Sequence, residues 1–315
     1  MSLSGGPAVV VGIPLYGRAQ WLREALASLL AQTYRDAAFV LVDDCSLDDS
    51  FAIATELMDR DDRVVAVRSD ERLGLVGAWR RTFELARERY PDARYFAWGS
   101  DHDHWEPGWL ASLVEVLDDH PDAVLAYPFT VRVNAEGEVV HVSRSFDTAG
   151  ERSPRRRLTR AASGMAPGNM VYGLFRVSAL EQAGPFPYVI GPDRLLLAHL
   201  AVLGEFRQVP DVLWHRRFAD RVTARRQRGA FFPGRRPPWH AYVPWWLVHG
   251  AILASSYGVR GAARPALSRP AAFSAVASYV WRSGLGRLRR NLNFPYRAAR
   301  RTAGRLFGGR GRDYP

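Results

Sequence analysis

Two pairs of aspartates in this chain have positions that could serve a ligand, and the second pair has a spacing suited to phosphate held together with a divalent cation. Asp43 and Asp44 directly follow one apolar run, whereas Asp101 and Asp103 follow another, with one residue between them. Side chains two residues apart in extended backbone point to the same side, so Asp101 and Asp103 could face one ligand. Carboxylate oxygens suit Mg²⁺ or Mn²⁺ held jointly with a diphosphate, where the metal neutralises charge on a leaving phosphate.

The pair at positions 43 and 44 could instead accept hydrogen bonds from a nucleobase or a ribose. Both pairs also have an explanation without function. Asp and Ser favour turns and helix N-termini, and an Asp-x-Asp segment is often a solvated acidic turn. Their position favours function, because each pair follows the end of a predicted buried strand.

The segments around these acids alternate between strands and helices. Apolar runs rich in β-branched residues predict strands at 8–15, 37–42, 63–67, 94–98 and 123–127. Apolar residues at helical spacing predict helices at 19–32, 47–58, 74–90 and 108–119. This alternation predicts an α/β fold with a mainly parallel sheet between two layers of helices. Ligands of such sheets bind beyond the carboxyl ends of the strands, where both acid pairs lie.

The pattern is less regular after Tyr127. We expect a hairpin from 130–133 and 139–142, a loop over the polar segment 146–163, a helix at 195–203 and short strands at 207–214.

Four segments, in order, resemble the family 2 glycosyltransferases of the GT-A fold, a Rossmann-like sheet flanked by helices. They are 11–16, 21–34, 42–50 and 101–103, and the resemblance covers roughly residues 8–218. It implies an inverting glycosyltransferase that moves a sugar from a nucleotide-diphosphate sugar to an acceptor hydroxyl. Mn²⁺ or Mg²⁺ would be its cofactor, and the likeness points to synthesis of a cell-surface glycan, polysaccharide or glycolipid.

The resemblance also implies roles on the donor side. Pro14 and Tyr16 would line the pocket for the base, and Asp43 would contact the base or the ribose, with Asp44 beside it. Arg72 departs from the family pattern, because it stands where an Asn is frequent after the third strand. We nevertheless place Arg72 among the donor-binding residues.

On the metal side, Asp101 would hold the ribose or, through water, the metal, and Asp103 would bind the metal directly. The segment 212–217 resembles the family's strand that ends in a polar cluster, so His215 could be a metal ligand. Arg216 or Arg217 could bind phosphate. The alternative for these three residues is a surface turn.

The family uses a carboxylate base at the start of a late helix, and the matching segment here is 191–197. Asp193 would therefore take the proton of the acceptor hydroxyl as the new bond forms. Its alternative role is an ordinary helix N-cap. Pro192 stands where Glu is frequent in the family. Gly168, in the small and polar segment 163–169, either lets the backbone approach the substrate or belongs to a plain loop.

The charge of the 315-residue chain is unevenly distributed. The formal net charge is +11, yet from Asp211 onward there are 21 arginines and three acidic residues, which leaves residues 1–210 at −7. We therefore divide the chain into a GT-A domain at 1–218 and a basic helical extension at 219–315. The nucleotide-sugar half of the domain would be about 1–128, and the acceptor half about 129–218.

Within the extension, residues 270–310 combine apolar residues at helical spacing with Trp and clustered Arg, which suits an anionic membrane surface. The alternative is a helix that packs on the domain with solvated arginines. A helix from Pro244 to about Tyr257 would be too short to span a bilayer. Since Cys45 is the one cysteine and no signal-peptide pattern is visible, we expect a cytoplasmic location, peripheral on the membrane. A glycan or lipid-linked acceptor would be the second substrate.

Other functions have weaker support. A nucleotidyltransferase would need a Gly-rich basic loop after the first strand, and a dinucleotide oxidoreductase would need G-x-G-x-x-G there. A non-catalytic membrane- or nucleic-acid-binding protein with a degenerate transferase domain is the remaining alternative. No RNA- or DNA-binding motif is visible, so a nucleic-acid partner is not expected.

Overall fold

A nine-stranded mixed sheet forms the centre of the protein, shown here as a computed structural model. The structure describes residues 6–134, 137–143, 145–184, 186–217, 224–261 and 267–292. Side chains are described throughout these ranges except at 224–227 and 285–292.

The elements follow in chain order. Strands are β1 Val9–Leu15, β2 Ala37–Asp43, β3 Val64–Arg68, β4 Tyr95–Trp98, β5 His104–Trp105, β6 Ala123–Val133, β7 Val139–Val142, β8 Leu174–Arg176 and β9 Glu205–Arg217. Helices are α1 Ala19–Leu30, α2 Ser50–Met58, α3 Gly74–Arg89, α4 Trp109–Asp119, α5 Pro154–Gly164, α6 Pro167–Met170, α7 Val177–Ala183, α8 Pro192–Leu203, α9 Ala224–Phe231, α10 Trp245–Leu253 and α11 Arg269–Leu292. A 3₁₀ turn, Trp239–Tyr242, precedes α10, and a π-helical turn, Ala254–Val259, continues it.

The strand order is β3-β2-β1-β4-β8-β6-β9-β5, with β7 beside β6. Strands β1 to β4 are mutually parallel, so their carboxyl ends lie at one edge. Strand β8 is antiparallel to both of its neighbours, β4 and β6, and β5 is antiparallel to β9. The loops after β1, β2 and β4 are therefore brought together at the edge where sequence patterning placed the two acid pairs.

Each buried strand contributes to two cores because successive side chains point to opposite faces. In β1, Val9, Val11 and Ile13 pack with α1 and α4 on one face. Val10 packs on the other face with α3, α5 and α8. The two apolar layers confirm the α/β fold expected from the alternation of strands and helices.

The predicted loop at 146–163 is wrong, because its second half forms α5. Ser153 caps this helix, accepting a hydrogen bond from the Arg156 N–H at 3.4 Å, and Pro154 occupies the first turn. Leu158 is one of the residues on the buried face of this helix. The arginines at 155–157 made the segment look like a solvated loop and hid the helix start at Ser153-Pro154.

One of those arginines is itself buried. The Arg157 guanidinium donates to the carbonyl oxygens of Ala201 and Val202 at 2.9 and 2.8 Å. These carbonyls belong to the last turn of α8, where they lack helical partners. Arg157 thus caps the carboxyl end of α8. Its side chain is buried, although the sequence predicted a polar loop here.

The extension packs against the domain over its described residues. Leu253, Tyr257, Ala272 and Tyr279 are buried and belong to the same apolar core as α3 and α8. The helix expected from Pro244 to about Tyr257 is present as α10 and the π-helical turn. The boundary predicted at 218 falls outside the described residues. No helix among the described residues combines the length and apolar character required for crossing a bilayer.

Candidate active site

The loop after β2 carries a buried carboxylate with one unpaired oxygen. Asp43 is fully buried. Its Oδ2 accepts a hydrogen bond from the Ser46 N–H at 3.1 Å and lies 3.4 Å from Arg68 Nε. Its Oδ1 has no hydrogen-bond partner among the described residues. A buried unpaired acceptor costs about 1–3 kcal/mol, so this oxygen is suited to an N–H or O–H of a ligand.

The same loop stores backbone strain at Cys45. Its φ of 59° is in the left-handed region, and it is the one non-glycine residue with positive φ in the described part of the chain. Such conformations persist where the surroundings fix them, and they occur often at ligand-binding sites. Here the Cys45 thiol donates to the Ser69 carbonyl oxygen at 3.2 Å, which ties the turn to the end of β3.

Asp44, which we expected among the donor-binding residues, binds the start of α3. Its two oxygens accept hydrogen bonds from the backbone N–H groups of Leu73 at 2.5 Å and Gly74 at 2.9 Å. Burial raises the pKa of Asp44, and these two bonds partly offset that effect. The carboxylate therefore has a structural role at the start of α3.

The loops after β1 and β2 are joined by side-chain caps. The backbone N–H groups of residues 17–19 donate in turn to Ser46 Oγ at 3.1 Å, Ser50 Oγ at 3.3 Å and Asp48 Oδ2 at 3.0 Å. The first N–H groups of a helix lack helical partners, and Asp48 satisfies that of Ala19, the first residue of α1. Ser46, Asp48 and Ser50 thus tie the loop after β1 to the segment after β2.

The loop after β4 carries the second pair of acids, both buried. Asp101 Oδ2 accepts a hydrogen bond from the Tyr16 N–H at 3.2 Å, and its Oδ1 lies 2.6 Å from His102 Nδ1. Asp103 Oδ1 accepts from the backbone N–H of Arg217 at 2.9 Å. Burial raises the pKa of Asp103, and the charge of His102 and the Arg217 N–H partly offset this.

His102 responds to both acids. Burial lowers the pKa of His102, but the hydrogen bond to Asp101 and the charges of Asp103 and Asp101 outweigh it, so the pKa is raised. The His102 ring lies between the two carboxylates, with Nδ1 2.6 Å from Asp101 Oδ1 and Nε2 3.8 Å from Asp103 Oδ1. A divalent cation on this pair would supply positive charge in the same place.

The described residues contain no cluster of three or more His, Cys, Asp and Glu that could enclose a metal. Asp101 and Asp103 offer two carboxylates, both buried, in the segment that follows β4. That donor set fits Mg²⁺ or Mn²⁺, which keep several waters and share a phosphate-bearing substrate. It does not fit an ion held by protein ligands alone.

His215 does not join this pair. Its Nε2 lies 2.8 Å from Glu106 Oε1, and its ring meets His104, its partner across β5 and β9. Side chains alternate along a strand, so His215 points away from the face that carries Arg216. His215, which we expected to be a metal ligand, therefore contacts Glu106 and not Asp101 or Asp103.

Arg216 lies on the side of the acids. Its guanidinium donates to the Gly168 carbonyl at 3.0 Å and to Asn169 Oδ1 at 3.3 Å. Its charge lowers the pKa of both Asp103 and Asp193, acting against the larger effect of burial. A Cβ on Gly168 would lie 3.2 Å from Arg216 Nη1, so the glycine leaves room for this side chain.

Arg217 secures the second pair through its main chain and side chain. Besides the backbone bond to Asp103, its guanidinium donates to the His102 carbonyl at 3.2 Å and pairs with Glu24 on α1. Arg217 thus links the end of β9 to α1 and to the loop after β4. Both guanidinium groups therefore have protein partners, and that of Arg216 is the one whose charge acts on Asp103 and Asp193.

Asp193 lies in the first turn of α8 and is not its N-cap. The N-cap is Gly191, with a φ of 68°, followed by Pro192. Asp193 Oδ1 accepts a hydrogen bond from the backbone N–H of Arg194 at 2.8 Å. Burial raises the pKa of Asp193, and this bond partly offsets it. The capping explanation therefore fails, and a partly buried carboxylate with raised pKa remains.

Tyr172 is a member of the site that the sequence did not indicate. Its ring packs between Trp79, at 5.3 Å between centroids, and Trp214, at 4.6 Å. Burial raises its pKa well above the usual range, and the charges of Asp103, Asp101 and Asp193 act on it as well. Nothing in its local sequence distinguishes Tyr172 from a core aromatic.

Two further donor-side residues form an exposed stack. The Arg72 guanidinium lies 3.9 Å from the centroid of the Tyr16 ring, which is 40% exposed. Pro14 lies next to Val42 in the register of β1 and β2, close to Asp43. The structure thus brings Pro14, Tyr16, Arg72 and Asp43 to one end of the sheet edge.

An α/β sheet of this topology, with buried acids after β2 and β4, defines the class of GT-A glycosyltransferases. The family model "Glycosyl transferase family 2" matches residues 10–182, and the chain belongs to that family.

Among solved structures, that of S. aureus TarS (residues 1–349) has a TM-score of 0.58 and 14% identity, covering 87% of this chain and 71% of that one. A mannosyltransferase from Pyrobaculum calidifontis, in complex with GDP-Man and Mn²⁺, has a TM-score of 0.52 and 19% identity. It covers 90% of this chain and 88% of that chain. At these identities the similarity establishes the fold.

Curated relatives match shorter segments. An uncharacterized protein of Sinorhizobium fredii is 31% identical over 127 residues, 40% of this chain and 13% of that protein. An uncharacterized glycosyltransferase of Rickettsia prowazekii is 28% identical over 121 residues, 38% of this chain and 35% of that protein. The matched segments thus span about a third or less of these relatives.

The role found for Asp44 predicts a loss of stability in Asp44→Asn. An amide would direct its NH₂ group at one of the two N–H donors at the start of α3, leaving that donor unpaired, at about 1–3 kcal/mol. Urea unfolding measures the change. The control is Asp49→Asn, an exposed residue without a side-chain cap bond, for which we expect a change within about 0.5 kcal/mol. Unchanged stability combined with weaker nucleotide binding in Asp44→Asn would instead support donor contact.

Proposed function

We propose that the protein is an inverting glycosyltransferase that moves a sugar from a nucleotide-diphosphate sugar to an acceptor hydroxyl. The acceptor would be a cell-surface glycan, a polysaccharide or a glycolipid. The observation that carries this proposal is the convergence of buried carboxylates at the carboxyl edge of β1 to β4, with Arg216 close to both Asp103 and Asp193.

The donor would lie along this edge with its base toward β2. The unpaired Oδ1 of Asp43 is an acceptor for an N–H of the base or a hydroxyl of the ribose. Tyr16 and Arg72 offer a stacked pair at the open side. Structures related in fold were solved with UDP-GlcNAc and with GDP-Man, which supports this class of ligand.

Asp103, with Asp101 beside it, would hold Mn²⁺ or Mg²⁺ against the diphosphate. The metal, when bound, would supply positive charge to the departing nucleoside diphosphate. Arg216 adds a fixed positive charge in the same place, and Gly168 and Asn169 orient its guanidinium. Arg217 keeps Asp103 in position through its backbone N–H.

Asp193 would act as the base on the acceptor side. Its carboxylate takes the proton of the acceptor hydroxyl, whose oxygen attacks the anomeric carbon. The bond from that carbon to the diphosphate breaks, and its electron pair leaves with the nucleoside diphosphate. One displacement of this kind inverts the anomeric centre. Tyr172, on whose phenol the charges of Asp103, Asp101 and Asp193 act, would contact the sugar.

Two alternatives to this function are a non-catalytic protein that binds a membrane or nucleic acid, and a nucleotidyltransferase. Four acids at the sheet edge, Asp43, Asp101, Asp103 and Asp193, favour catalysis over a degenerate domain. The loop after β1 offers no Gly-rich phosphate cradle, which disfavours a nucleotidyltransferase.

We also propose that the extension attaches the protein to an anionic membrane, on its cytoplasmic face. Residues 221–312 contain 19 arginines and no acidic residue. Trp239, Tyr242 and Trp281 are exposed, at 77%, 61% and 59%. Val276 is buried, so part of the apolar stripe predicted for residues 270–310 packs against the domain. The outer aromatics and the arginines remain to contact lipid, which suits a lipid-linked acceptor.

The donor site predicts nucleotide-dependent stabilisation. Thermal shift is measured with UDP, GDP and dTDP, each with and without Mn²⁺, because a ligand at about 100 times its Kd stabilises by about 2.7 kcal/mol. We expect a metal-dependent shift for one nucleotide, lost in Asp103→Asn and kept in Asp122→Asn, an exposed control. A full shift in Asp103→Asn would remove Asp103 from the metal site.

The proposed role of Asp193 as the base predicts that Asp193→Asn affects turnover and not nucleotide binding. Turnover should fall on the order of 10²–10⁴-fold while the nucleotide shift stays, since general base catalysis contributes that much. The active form is the carboxylate, so activity is lost as pH falls through its raised pKa, above the ordinary range for Asp. Steady-state rates against pH measure this, with exposed Asp211→Asn as control. Wild-type turnover in Asp193→Asn would exclude Asp193 as the base.

Vesicle co-sedimentation tests the membrane proposal. The double variant Trp239→Ala, Trp281→Ala should bind anionic vesicles about thirtyfold more weakly, since the two indoles together bury apolar area worth on the order of 2 kcal/mol. Leu47→Ala, a 97% exposed position outside the extension, is the control. We expect binding to weaken with salt. Equal binding to neutral vesicles, or no loss in the double variant, would contradict the proposal.

A further inference from the structure

The extension contacts the segment that leads into Asp193. His249 of α10 is fully buried. Its Nε2 lies 2.9 Å from the Ile190 carbonyl oxygen, and its Nδ1 lies 3.0 Å from the Tyr279 hydroxyl of α11. A carbonyl can only accept, so Nε2 carries the proton, and Nδ1 then accepts from the tyrosine. Burial lowers the pKa of His249 to about 4, which keeps the ring neutral.

The segment held in this way is an irregular turn. Ile190 precedes Gly191, whose φ of 68° requires the left-handed region that glycine tolerates. A Cβ on Gly191 would lie 3.6 Å from His249 Cε1, so the imidazole packs directly against the turn. Pro192 is buried and Asp193 follows it. The placement of Asp193 thus depends on a turn that the extension contacts.

We propose that His249 and Tyr279 are positioning residues for Asp193. The Tyr279 hydroxyl orients the imidazole, the imidazole holds the Ile190 carbonyl, and the turn at Gly191 sets where the carboxylate of Asp193 lies. The inference rests on the proposed role of Asp193 as the base. It makes residues of the basic extension part of the catalytic apparatus, although they lie outside the part of the chain that the family model matches.

The body of α8 has its own anchors, which separates this role from general packing. Leu195, Leu196 and Leu197 are buried in the core. Farther along α8, His199 Nδ1 lies 2.8 Å from the buried Tyr257 hydroxyl, which also donates to the His199 carbonyl oxygen at 3.3 Å. Burial lowers the pKa of His199 to about 4 as well. Each pair combines an imidazole Nδ1 with a tyrosine hydroxyl of the extension, but the His199–Tyr257 pair lies more than a helical turn from Asp193.

This duplication supplies a matched control. Tyr279→Phe and Tyr257→Phe each remove one buried hydroxyl from a His–Tyr pair. Hydrogen exchange of the amides of 189–194 in the full chain, and hydrolysis of UDP-GlcNAc or GDP-Man, whichever binds, are measured for both. Water replaces the acceptor hydroxyl in this reaction and needs the same base.

In Tyr279→Phe we expect exchange at 189–194 to accelerate about tenfold and kcat to fall about 10- to 100-fold, since small misplacements cost that much. The donor KM should stay within about twofold. Tyr257→Phe should change neither quantity more than about threefold. His249→Gln, whose amide can still donate to the Ile190 carbonyl, should retain more kcat than His249→Leu, and it replaces Tyr279→Phe if that variant does not fold.

Equal effects of Tyr279→Phe and Tyr257→Phe on exchange and kcat would overturn the proposal, as would faster exchange at 189–194 with unchanged kcat. Failure of the proposed base is distinguishable. If Asp193→Asn keeps wild-type hydrolysis, Asp193 is not the base, and the positioning role falls with it even where exchange still responds to Tyr279→Phe.

Discussion

Backbone N–H groups that donate to buried carboxylates are the interactions on which this site depends. A carboxylate removed from water without partners costs several kcal/mol. Here Tyr16 donates to Asp101 and Arg217 donates to Asp103, across 85 and 114 residues of sequence. Each bond stabilises an acid and joins two loops, so the interactions that make the burial tolerable also set the geometry of the edge.

The same constraint explains which acids are available to a ligand. Asp44 uses both oxygens on the start of α3, whereas Asp43 keeps one oxygen unpaired. Asp101 and Asp103 share the imidazole of His102 between them. The site therefore has one unpaired acceptor oxygen, Asp43 Oδ1, at the end of β2. After β4 it has a pair of carboxylates that both lie close to His102.

Local sequence carries the information for the fold because the periods of strands and helices are local. The strands β1 to β4 and helices α1 to α4 follow from apolar spacing, and the acids follow from their position after strands. The direction of His215 and the place of Tyr172 do not, because their neighbours come from distant strands and helices. The sequence does not predict helix α5, because the start signal Ser153-Pro154 is followed by three arginines that resemble a solvated loop. The burial of Arg157 depends on its contacts with α8, which lies far away in sequence.

Residues of the extension are part of the hydrophobic core. Another of its residues, His249, contacts the turn that precedes Asp193. The buried residues of the extension pack with α3 and α8, while Trp239, Tyr242 and Trp281 are exposed. The extension thus supports α8 with its buried side chains and presents exposed aromatic side chains to its surroundings. Composition separated the extension from the domain, but packing joins them.

The central claim is that Asp103 and Asp101 receive the metal and the diphosphate at the carboxyl edge of the sheet. The most direct measurement is anomalous diffraction from crystals grown with Mn²⁺ and the nucleoside diphosphate that stabilises the protein. The account predicts one manganese peak in contact with the Asp103 carboxylate and the diphosphate, with the base beside Asp43. A peak between Glu106 and His215, or a nucleotide bound away from this edge, would contradict it.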